Sequence, residues 1–89
     1  MTFEFHPDGE KHIFNWLSGE RDPAQRDALL DFLPLLAADP DDPSFSTQPV
    51  PALAYPVFLT KVPGTSIAVV YLRNDLFRTL KVREIYRLP

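Results

Sequence analysis

Cysteine is absent from this sequence. That one lack removes disulfides, thiolate metal sites and a Cys nucleophile together. Glycine is scarce, three residues in 89, and Gly64 is a lone turn glycine, so no Gly-rich loop exists to cradle a phosphate. The two histidines, His6 and His12, are six apart and fall in different predicted elements, which is not metal-ligand spacing. Ser18, Ser44, Ser46 and Ser66 lack the strand–turn–helix context of a serine nucleophile. No apolar run nears the ~20 residues that span a bilayer. Met1 leads into a polar, amphipathic segment and not into the apolar stretch of a signal peptide. What is left is one domain, residues 1–89, expected in the cytoplasm, with no metal, no cofactor and no membrane partner.

What is present is unevenly spread. Residues 1–54 hold three Lys/Arg and ten Asp/Glu, a balance of −7; residues 55–89 hold six Lys/Arg and two Asp/Glu, a balance of +4. The net charge of −3 argues against nucleic acid as a partner. The asymmetry tempers that argument, because a local basic face binds phosphates even on an acidic whole. The plain alternative is a solvated basic sheet face balancing acidic helices.

Thr2 to His6 alternate polar and apolar, as a short strand does. Pro7-Asp8-Gly9 ends it, and the Asp8 carboxylate is placed to cap a helix whose stripe is Ile13, Trp16 and Leu17, with Gly19 as its stop. Asp22-Pro23-Ala24-Gln25 is a sharper start, with a cap, a proline at the first helical position and a capping-box Gln. Leu29, Leu30, Leu33, Leu36 and Ala37 form the apolar face that follows. Pro34 lies inside it and predicts a kink or restart. The short connection predicts an antiparallel helical hairpin.

Residues 39–56 contain five prolines and read as a long irregular loop, either mobile or packed by Phe45 and Leu53. Strand patterns follow. Val57 to Thr60 is apolar and β-rich, Pro63-Gly64 suits a type II turn, and Ile67 to Leu72 reads as a buried central strand. Asn74-Asp75 turns the chain into a last strand from Phe77 to Tyr86. The predicted fold class is α+β: a strand, a two-helix hairpin, then a three-stranded antiparallel meander, with both helices on one face of a four-stranded sheet.

Alternation splits that last strand. Leu80 and Val82 are predicted to face the helices, with Tyr86 sharing their parity. Lys81, Arg83 and Arg87 then share the open face, a row able to track phosphates, with Lys61 on a neighbouring strand.

The order of elements and several short stretches resemble the RelE/ParE toxin superfamily. FEFHPDG resembles its opening strand and turn, LLAADP the end of its helical hairpin, GTSIAVVYL its Tyr-bearing strand with Tyr71 in the Tyr position, and FRTLKVREIYR its final basic strand. The resemblance implies a bacterial toxin held in check by a cognate antitoxin, acting by mRNA cleavage on the ribosome or on DNA gyrase. Cleaving members use no metal; basic and aromatic groups activate a 2′-hydroxyl and stabilise the phosphorane. Carried over, Arg87, Lys81 and Lys61 are the candidate catalytic residues, and Arg83 and Arg73 the candidate nucleic-acid or phosphate contacts. An antitoxin tail in the groove beside the sheet would use Phe58, Leu72 and Ile85.

Two departures weigh against an endoribonuclease. Ala68 stands where cleaving members carry a transition-state Arg, and the sequence stops two residues after Arg87, before the usual catalytic Tyr or His. The alternative expectation is a non-catalytic protein-binding module on the same fold.

Overall fold

The computed structural model describes residues 2–51 and 56–89. Leu53 and Tyr55 lie outside the described residues. The elements run β1 (Glu4–Phe5), α1 (Pro7–Gly19), α2 (Pro23–Ala38), β2 (Ser46–Pro49), β3 (Val57–Lys61), β4 (Ile67–Asn74) and β5 (Thr79–Arg87). The class is α+β, with the helices packed against one mixed sheet of strand order β1-β5-β4-β3-β2. β1 is parallel to β5, and the other pairings are antiparallel.

Among the described residues the sheet has five strands, not the four expected. The extra strand, β2, arises inside the proline-rich segment. Ser46-Thr47-Gln48 is a proline-free interval between Pro43 and Pro49, and Pro49 ends an edge strand, where a missing N–H is tolerated. The Thr47 hydroxyl donates to that of Thr60 at 2.9 Å and fixes the pairing. Phe45 anchors the approach to β2 by meeting Phe32 edge-on at 5.1 Å.

Helix α1 begins at Pro7, and Asp8 is not its cap. Its cap is His6, whose Nδ1 accepts from the Asp8 N–H at 3.1 Å, and Pro7 takes the first helical position. Asp8 and Glu10 then lie in the first turn, where the helix dipole favours carboxylates. Asp22 caps α2 by accepting from the Ala24 N–H at 3.0 Å. The reciprocal bond to the Asp22 N–H comes from Glu20, at 3.0 Å, and not from Gln25. α2 runs as one helix through Pro34 without restarting. Pro34 and Leu30 are exposed, so water can take the Leu30 carbonyl that the proline leaves free.

The core lies between the helices and one sheet face. Leu29, Phe32, Leu33 and Leu36 of α2 and Ile13 of α1 meet Ile67, Val69, Tyr71, Leu80 and Val82. Gly64 takes φ 74° and the Thr65 N–H reaches the Val62 carbonyl, closing the β3–β4 turn. The last strand starts at Thr79, not Phe77. Phe77 belongs to the preceding turn, its N–H held by the Asn74 side chain at 3.0 Å.

Candidate functional site

Cross-strand partners share a sheet face. Phe58 and Thr60 of β3 pair with Tyr71 and Val69 of β4 on the helix side. Val57, Leu59 and Lys61 pair with Leu72, Val70 and Ala68 on the open side. Along β5 the register shifts. Tyr71 pairs with Val82 but Val70 pairs with Glu84, so Arg83 is the extra residue of a β-bulge.

The bulge reverses the alternation beyond it and corrects the predicted faces. Lys81 lies opposite Leu72 on the open face, as expected. Glu84 and Tyr86 lie opposite Val70 and Ala68, also on the open face. Ile85 and Arg87 lie opposite Val69 and Ile67 on the helix side. Arg87 is therefore not in the row with Lys81 and Arg83. Its guanidinium is ion-paired with Glu20, the residue that follows α1.

Arg73 is likewise committed within the protein. It pairs bidentately with Asp41 at 2.6 and 2.9 Å and donates to Asp75 at 2.6 Å. Its guanidinium also stacks over the Phe3 ring, 5.0 Å from the centroid. The hydrogen bond from Arg73 holds the Asp41 carboxyl below the usual carboxylate range, and the Asp41 bond pushes the Arg73 pKa further up. Tyr71, in the position the family resemblance marked, is buried in the core, and burial pushes its phenol up to about 12. Phe58 stacks on it at 6.0 Å between centroids.

Lys61 and Lys81 share the open face but not a site. Lys81 is level with Val57 through Leu72, and Lys61 is four residues further along β3. Strand rise and spacing put their backbones roughly 16 Å apart. Among the candidate partner contacts, Phe58 and Ile85 are half-buried against the core, and Leu72 alone lies on the open side.

Two concavities meet at Arg83. One, about 410 Å³, lies on the open sheet face between Val50, Val57, Leu59, Val70, Glu84 and Tyr86. The other, about 660 Å³, lies between α1 and β5, lined by Asp8, Lys11, His12, Leu72, Lys81 and Val82. Lys81 and Arg83 were predicted to stand together, and they do. Lys11, His12 and Tyr86 were not predicted to join them. The signal for Lys11 and His12 was Gly9, a glycine in a helical first turn that marks close backbone approach.

Against solved structures, the chain superposes on one from the archaeal RelE-RelB complex of Pyrococcus horikoshii. The TM-score is 0.66 at 15% identity, covering 98% of this chain and 96% of that one. The fold is RelE-like. No protein-family model and no curated protein sequence matches the chain. Among the described residues, no helix is long and apolar enough to cross a membrane.

Proposed function

We propose that this chain is the toxin-like member of a toxin–antitoxin pair, restrained by an antitoxin protein, and that it acts on its target by binding. The observation that carries the reading is the RelE-like fold along nearly the whole chain. The superposed neighbour is part of a RelE-RelB complex, which supports a protein partner for this chain also. The open sheet face, with Leu59, Val70, Leu72 and Tyr86 only partly covered, is the surface offered to that partner. The targets under this reading are the translating ribosome or DNA gyrase.

Binding is preferred to RNA cleavage because the three candidate catalytic cations, Arg87, Lys81 and Lys61, do not converge on one phosphate. Ala68 is fully buried where a transition-state Arg would stand, Arg73 and Arg87 are ion-paired, and Lys61 is far from Lys81. Metal-independent phosphoryl chemistry needs several donors around one developing charge. The test is induction of the chain alone in bacteria, with growth and mRNA integrity followed together. The expected result is growth arrest without new mRNA ends. Normal growth with soluble, folded protein overturns the toxin-like reading. In that case capture of one partner through the open face supports the second reading, a non-toxic binding module, which the ion-paired arginines also favour.

A further inference from the structure

Gly9 sits in the first turn of α1 against the backbone of β5; a Cβ there would lie 2.5 Å from the Val82 nitrogen. This close approach carries Lys11 and His12, two and three residues on, to the same cleft as Lys81 and Arg83. The three full cations are exposed, and among the described residues none has a carboxylate within ion-pair distance. Asp8, the cleft's carboxylate, lies 3.8 Å from His6 Nδ1. Arg73 and Arg87, by contrast, are each held by an acid.

The number of charges selects the ligand. A phosphodiester brings one negative charge per phosphate, which three cations around one cleft exceed. A terminal phosphate brings about −1.5 to −2 at neutral pH, and a diphosphate more. A volume of about 660 Å³ is that of a small-molecule site, and Leu72, half-buried on the open face, supplies an apolar edge beside the cations. We infer that the cleft between α1 and β5 binds a ligand ending in a phosphate or diphosphate, either a nucleoside diphosphate or the 5′-phosphorylated end of an RNA. The inference does not depend on the toxin-like reading, since a binding module would hold the same ligand.

The test is calorimetric titration of the full chain at low salt with pyrophosphate, ADP, and a short RNA with and without a 5′-phosphate. Saturable binding of pyrophosphate is expected, weakened about tenfold or more by Lys11→Gln and by Arg83→Gln, each the loss of a charge-assisted contact. Arg26→Gln, an exposed cation on α2, should leave it unchanged. Circular dichroism checks that each variant is folded, and amide shifts at Lys11, Lys81 and Arg83 locate the ligand in the unaltered chain. Tighter binding of ADP than of RNA identifies the free nucleotide as the source, and the reverse identifies an RNA end; both uphold the site. No saturable binding of the phosphate probes overturns it. So does an equal loss in Arg26→Gln, shifts confined to other residues, or, where RNA binds more tightly than ADP, an equal affinity for RNA with and without the 5′-phosphate.

Discussion

Gly9 and Tyr71 show how much single side chains decide here. Adding one methyl group at Gly9 would drive it into the Val82 backbone. Backbone cannot rotate away as a flexible side chain can, so α1 must shift outward. Gly9→Ala should destabilise the fold by about 1–3 kcal/mol, read as a lower urea midpoint, and it should widen the cleft beside Lys81. Tyr71 makes a prediction about pH. Its phenol is pushed up to about 12 from an ordinary 10.0, so the folded state keeps a proton that the unfolded chain gives up. The associated stability is fully present below pH 10.0 and drains away as pH rises towards about 12. Urea midpoints measured across that range should fall for the native chain and fall less for Tyr71→Phe.

Among the elements, the joint between α2 and the sheet is electrostatic on one side and apolar on the other. Arg73 ties Asp41, just past α2, to Asp75 in the β4–β5 turn. Asp41 is well exposed, so Asp41→Asn should cost less than about 1 kcal/mol. Arg73→Ala should cost more, because it strips Phe3 of a stacked guanidinium and frees two carboxylates at once. Thermal melts of the two variants at low and high salt check that order. Because Asp41 is held below its ordinary 3.8, its contribution persists above that value and is lost as pH falls through the lowered pKa. The elements also show which features can be read from a string of residues. Asp22-Pro23 announced α2, and Ile67 to Leu72 announced a buried strand, because both signals are local. Strand β2 was hidden, since Ser46 to Pro49 resembles loop until Thr60 is there to pair with. The bulge was hidden for the same reason. Nothing in Lys81-Val82-Arg83-Glu84 marks the extra residue, and without it strict alternation misplaced Ile85, Tyr86 and Arg87.

For the molecule as a whole, the N-terminal residues are locked between α2 and the start of β5. Phe3 is buried, and its N–H reaches the Ala37 carbonyl at 2.6 Å. Glu4 takes the Arg78 carbonyl at 2.9 Å. A domain of 89 residues has a total stability of about 4–13 kcal/mol. Phe3→Ala, at about 3–5 kcal/mol, should therefore use up much of it. The check is the unfolded fraction at 37 °C, followed by circular dichroism or amide exchange. Long-range placement also explains the half of the candidate site that alternation missed. Lys81 and Arg83 were visible on one strand, whereas Lys11 and His12 reach them only through the α1–β5 contact, some seventy positions away in the sequence.

The parallel pairing of β1 with β5 has a consequence for how the chain is made. β5 is the last of these elements in chain order, yet both β1 and α1 dock on it. At translation rates of about 5–20 residues per second, Glu4 waits roughly 4–15 s for Thr79. Through that interval α1 lacks the strand on which it packs, so its apolar stripe of Ile13, Trp16 and Leu17 is not fully covered before β5 is made. Synthesis and assembly of the cleft are thus separated in time, with the cleft completed only after β5 has emerged.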